Sequence, residues 1–139
     1  MPVGRVRRAL RGDRGEVTVE LVLAAPLLLL ALLAIVQFAL WSHATHVAQA
    51  AASQALAAAR TQDGTAGNGQ AAGQRLLDDL AAGPLREPQL AVSRSAATVS
   101  VSIRGEATAV LPGVHLPVHA EAFGEVERFL PDLTTAHGS

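Results

Sequence analysis

The chain has no cysteine, no tyrosine and no lysine, one tryptophan and three phenylalanines among 139 residues. Without cysteine, no disulfide can staple it, a device on which small exported domains often rely. The aromatic shortage is sharper beyond Trp41, where only Phe123 and Phe129 remain. That is thin stock for a self-sufficient core, because small domains bury a modest share of their surface. The distal part is expected to lean on a long helix, on neighbouring subunits, or on both. Formal net charge is −1. The basic footprint of a nucleic-acid binder is missing, so no nucleic-acid partner is expected.

What the chain does have is unevenly placed. Residues 1–15 carry Arg5, Arg7, Arg8, Arg11 and Arg14 against a single acid, Asp13. From Ser42 onward acids outnumber arginines. Between these parts Leu21 to Trp41 is almost entirely Leu, Ala, Val and Ile, interrupted by Pro26 and Gln37. At 1.5 Å per residue this run covers roughly 31 Å, close to the ~30 Å hydrocarbon core of a bilayer. The lipid bilayer is therefore the first expected partner. By the positive-inside rule the N-terminus is expected to be cytoplasmic and the C-terminal part extracytoplasmic. A secretory signal is the other reading of the run, with Ala48-Gln49-Ala50 resembling a small-x-small cleavage site, although the run exceeds the usual 7–15 apolar residues.

Three segments follow in order. Residues 1–15 read as a basic, unstructured cytoplasmic leader. Residues 16–60 read as a transmembrane and Ala-rich stalk helix, since Ser42 to Arg60 holds no breaker and alanine is the best helix former. Pro26 is expected to kink that helix by freeing the Val22 carbonyl. Gln37 and Trp41 mark its far end, glutamine as a bond across helices and tryptophan as an interfacial anchor. The stalk is either a plain spacer or a packing face for neighbouring copies or for the chain's own sheet.

Residues 61–139 read as a small helix-plus-sheet domain with a frayed tail from Pro131. Thr61 to Gly69 is expected to be a loop, and Gln70 to Ala82 an amphipathic helix with Leu76, Leu77 and Leu80 on one face, ended by a Gly83 cap and Pro84. From Gln89 the period becomes two. A weak strand is expected over Gln89 to Ser93, and a clear one over Thr98 to Ile103 with Val99, Val101 and Ile103 facing one way. Gly105 is expected to turn the chain into a strand over Glu106 to Leu111. Pro112-Gly113 suits a type II turn, and a last strand is expected from His115 to Phe123, with Pro117 at its start or on an edge. The fold class is thus α+β: a long N-terminal helix, a short helix, and three or four antiparallel strands.

The chemistry lies at the lip of the apolar run. Gly15 closes the basic leader, Glu16 follows, and Glu20 stands where the run begins. An ionised side chain in a membrane segment is costly and implies a partner. A cut between Gly15 and Glu16 would create an α-amine near Glu20 of a neighbouring copy, and the pair would fix axial register in a stack of helices.

A basic leader, glycine before the cut, glutamate at the fifth position after it, and about twenty apolar residues with a proline together resemble type IV prepilins. The Val19-Glu20 pair, Pro26 followed by Leu27 to Leu30, and Ala58-Ala59-Arg60 make the chain more similar to the TadE-like pseudopilins of tight-adherence pilus systems. The likeness covers about Arg14 to Arg60. It implies cleavage by a prepilin peptidase at Gly15 and Glu16, subunit pairing through Glu20, and partners among other pilin-like subunits and their assembly machinery. It implies a structural protein rather than an enzyme, with no cofactor. An acidic Glu16 departs from the Phe or Met usual after the cut in major pilins, and the disulfide-closed loop of many pilins is impossible here. The alternative is an uncleaved single-pass anchor carrying an extracytoplasmic binding module.

Other groupings point to nothing chemical. His43 with His46, and His115 with His119, have no acid or cysteine spaced to complete a metal site. Asp78-Asp79 reads as a solvated helix face. Gly64, Gly67 and Gly69 do not follow a strand as a phosphate loop requires.

Overall fold

Alanine pays no side-chain entropy on entering a helix, and the stretch after Trp41 is built from it. The computed structural model describes residues 3–130, with side chains from residue 15. One α-helix, α1, runs Val3–Arg60, so the expected end of the stalk at Arg60 is met. Its start differs from expectation. The backbone from Val3 is helical rather than unstructured. Arginine and leucine are good helix formers, and no proline stands between Pro2 and Pro26 to interrupt them. The expected frayed tail from Pro131 lies outside the described residues.

Helix α2 spans Ala66–Leu80 and begins four residues before the expected Gln70. A capping box starts it: Thr65 Oγ1 accepts from the Asn68 N–H at 3.0 Å, and Asn68 Oδ1 accepts from the Thr65 N–H at 2.9 Å. Gly67 and Gly69, expected in a loop, are thus helical. Gly69 and Gly73 serve close approach. A Cβ at Gly69 would lie 2.8 Å from the Ala55 carbonyl oxygen, and one at Gly73 would lie 2.9 Å from the Ala55 Cβ. The far cap is also corrected. Ala81, not Gly83, closes α2, its N–H donating to the Leu77 carbonyl at 2.8 Å.

Three antiparallel strands follow: β1 (Leu85–Arg94), β2 (Thr98–Ala107) and β3 (Pro117–Glu125), in the order β1-β2-β3. Pro117 opens β3, an edge strand, where a missing N–H is tolerated. The expected turn at Gly105 and strand over Glu106 to Leu111 do not form. β2 runs through Gly105, opposite an irregularity in β1 between Arg86 and Gln89, where Glu87 takes a φ of 48°. A Cβ at Gly105 would lie 2.9 Å from the Arg86 carbonyl oxygen, so this glycine marks a tight crossing. Residues 108–116 instead form a connecting loop. Within it the expected type II turn is present: Gly113 has φ +75°, and the Leu111 carbonyl accepts from the Val114 N–H at 3.4 Å.

The alternation in β2 places Val99, Val101 and Ile103 on the inner face, all buried, beside Val118 and Ala120 of β3. Against that face α1 presents Ala44, Ala48, Ala51, Ala52, Ala55 and Ala59, each essentially inaccessible. Small side chains let the sheet and α2 lie close to the helix axis, which offsets the lack of large aromatics. The packing face of the stalk is therefore occupied by the chain's own sheet and by α2. Arg94 closes the end of α1, its guanidinium donating to the Ala59 carbonyl and, at 3.0 Å, to that of Thr61. Arg60 in turn ties the end of α1 to the segment that follows β3. Its Nε lies 3.2 Å from Glu127 Oε1, and its carbonyl accepts from the Glu127 N–H at 2.8 Å.

Candidate functional site

Glycine at the end of a basic segment and acid at the start of an apolar one define a boundary, and the structure defines a second boundary opposite it. From Gly15 to Val36 every residue of α1 is exposed except the half-buried Ala24 and Leu33. At Gln37 this changes abruptly. Val36 is 40% exposed and Gln37 only 4%. Beyond that point one face of α1 is covered, and the sequence positions 37, 41, 44, 48, 51 and 55 repeat at helical spacing along it.

Gln37 makes the change. Its Nε2 donates to the Thr108 carbonyl at 3.1 Å. Its Oε1 accepts from the Val110 N–H at 2.8 Å and, more weakly, from that of Leu111 at 3.4 Å. One turn further, Trp41 Nε1 donates to the Pro117 carbonyl at 3.2 Å. Phe38 sits beside that indole, ring centroids 5.9 Å apart. Gln37 was expected to bond across helices; it bonds instead to the loop of its own head.

The stretch left uncovered, Val17 to Val36, is about 30 Å long at 1.5 Å per residue, again the thickness of a hydrocarbon core. α1 is the one helix among the described residues long and apolar enough to cross a membrane. Gly15 and Glu16 lie at its near lip, both exposed, and a Cβ on Gly15 would meet nothing within 4 Å. Glu20 is exposed one turn further in. No arginine, lysine or histidine occurs from Gly15 to Trp41, so α1 offers Glu20 no countercharge along the apolar run. Pro26 lies within α1, which continues through it.

The remaining polar groupings stay apart. His43 and His46 are exposed on α1. His119 Nε2 lies 2.9 Å from Glu121 Oε1, and His115 lies 3.8 Å from Glu106. No set of three His, Cys, Asp or Glu side chains suited to a metal occurs among the described residues. Asp78 accepts from the Gln74 amide at 2.8 Å on the outer face of α2.

Residues 15–57 match the family of TadE-like proteins. The TadE-like segment thus begins at Gly15 and ends three residues before α1 does. It holds Glu16, Glu20, Pro26, Gln37 and the alanine face as far as Ala55, and leaves α2 and the sheet outside. TadE-like proteins are structural, pilus-related membrane components with an N-terminal apolar helix, and are not known as an enzyme family. No curated protein and no solved structure matches the chain.

Proposed function

We propose that the chain is a membrane-anchored, pseudopilin-like subunit in the assembly of a tight-adherence, type IV-like pilus or secretion filament. A prepilin peptidase cuts between Gly15 and Glu16. Residues 1–15 are a cytoplasmic leader, residues 16–60 the anchor and stalk, and residues 61–139 the extracytoplasmic head. The new amine at Glu16 pairs with Glu20 of a neighbouring copy, and the proline kink at Pro26 lets adjacent helices bundle.

One observation carries the reading. Among the described side chains the head covers α1 only from Gln37 onward and leaves the N-terminal half of the TadE-like match, residues 15–36 with Glu20 at the start of its apolar run, free for lipid or for other helices. An isolated carboxylate there costs of the order of 2.5–3.5 kcal/mol at the bilayer centre and less at the rim, which a neighbour's cation relieves. The basic leader supports an N-in orientation. The test is a pair of variants in cells that hold a prepilin peptidase. Gly15→Val leaves a full-length, uncut species, and Glu20→Ala inserts but fails to assemble. If both variants behave as the wild type, the chain is an uncleaved anchor carrying a binding module.

A further inference from the structure

The geometry points to a second membrane contact: the turn at residues 109–114 rests on the lipid surface beside α1, at the level where the helix leaves the hydrocarbon. The occupant is the bilayer interface, acyl chains and headgroups together. Three observations place it there. First, the loop is tied to the end of the uncovered apolar stretch, since Gln37 holds the backbone of Thr108, Val110 and Leu111. Second, the loop is suited to that environment. No charged residue lies between Glu106 and His115, and the sequence Ala109-Val110-Leu111-Pro112-Gly113-Val114 is apolar throughout. Val110 is 38% exposed, and Pro112 and Gly113 are exposed.

Third, part of its backbone is satisfied internally. Lipid tolerates irregular backbone only where polar groups are satisfied internally. Gln37 meets the Val110 and Leu111 N–H groups, and Leu111 and Val114 bond to each other within the turn. Arg86, Glu106 and His115 rim the hollow beside the turn, giving it a polar margin behind an apolar tip. Trp41, with Phe38 beside it, stands at the same end of the uncovered stretch, and tryptophan is favoured at the membrane interface. Helix and turn together give the head two points of support, which fixes its height and limits its rotation about α1.

The inference rests on α1 being a membrane helix and not on cleavage at Gly15. The absence of cysteine allows single-cysteine labelling of the full chain. The variants are Val110→Cys and Pro112→Cys at the turn, Phe38→Cys as the helix reference, and Ala96→Cys in the β1–β2 turn at the other end of the sheet. Each carries an environment-sensitive fluorophore, at one copy per nanodisc of phosphatidylcholine and phosphatidylglycerol.

The expected result is that labels at 110 and 112 lie roughly 5–10 Å into the headgroup–acyl boundary. They are quenched by shallow lipid-borne spin labels and shielded from iodide, as at 38, while the label at 96 is open to iodide. Gln37→Leu is expected to lower lipid quenching at 110 and leave it unchanged at 38. Iodide access at 110 equal to that at 96 overturns the inference. So does shielding that appears only when several copies share a disc, because a second copy is then the occupant. An iodide-accessible label at 38 overturns it by removing the membrane helix itself.

Discussion

The Gln37 side chain of α1 accepts a hydrogen bond from the Val110 backbone at 2.8 Å, across a sequence separation of 73 residues. That contact divides α1 into two lengths with different obligations. From Val17 to Val36 the helix is largely apolar and uncovered. After it the helix is alanine-rich and supports the sheet. The account predicts separate failures for the two lengths.

Replacing Gln37 by leucine leaves the Val110 and Leu111 N–H groups and the Thr108 carbonyl without partners. A buried unsatisfied group costs about 1–3 kcal/mol, so the loop is expected to detach rather than the head to unfold. Hydrogen exchange on the full chain in detergent checks this: the Val110 amide becomes unprotected, while Val101 and Ile103 in β2 keep their protection.

Gly73→Ala and Gly67→Ala are expected to act in opposite directions. A Cβ at Gly73 would lie 2.7 Å from Leu90 Cδ2 and 2.9 Å from the Ala55 Cβ, so α2 must shift away from α1. Overpacking of this kind costs about 1–3 kcal/mol. At Gly67 the nearest atom is the Thr65 hydroxyl at 3.5 Å, and the helix gains up to about 1 kcal/mol from alanine. Denaturant midpoints of the two variants in the same detergent measure the difference.

Arg94→Met removes the donors that close α1 at the Ala59 and Thr61 carbonyls. Charge-assisted bonds at a helix C-terminus carry about 1–2 kcal/mol in partly buried settings, and a loss of that size is expected. Arg104→Met, on the outer face of the sheet, serves as the control and is expected to be nearly silent. Thermal denaturation of both variants, followed by circular dichroism, separates a cap from a general charge effect.

Glu20→Gln keeps the shape of the side chain and removes its charge. Membrane insertion is expected to be unchanged or easier, because the desolvation cost falls. Under the proposed pairing, assembly with other subunits is expected to be lost, because a neighbour's amine would have no counterion. Membrane fractionation together with crosslinking of the cellular filament distinguishes the two effects.

Much of this architecture is visible in local patterns. The alternation of Val99, Val101 and Ile103 marks the inner face of β2, and the unbroken alanine stretch carries α1 to Arg60. Pro112-Gly113 announces its turn. What local patterns conceal depends on distant partners. Gly105 looks like a turn residue, yet it is required by the Arg86 carbonyl that crosses above it. Gly67 and Gly69 look like a loop until the Thr65–Asn68 cap and the surface of Ala55 are in place. Gln37 shows as a polar residue in an apolar run, which signals a partner without naming it. The partner is a loop formed 71 residues later. Gly15, Glu16 and Glu20 were legible as a motif because their proposed roles depend on spacing along one helix.

The most direct test of the central claim is the intact mass and N-terminal sequence of the protein from its native membrane fraction. A chain beginning at Glu16 is the predicted result and makes Glu20 the next residue to change. A chain beginning at Met1 or Pro2, in cells with an active prepilin peptidase, contradicts the account and leaves an anchored domain that is never processed.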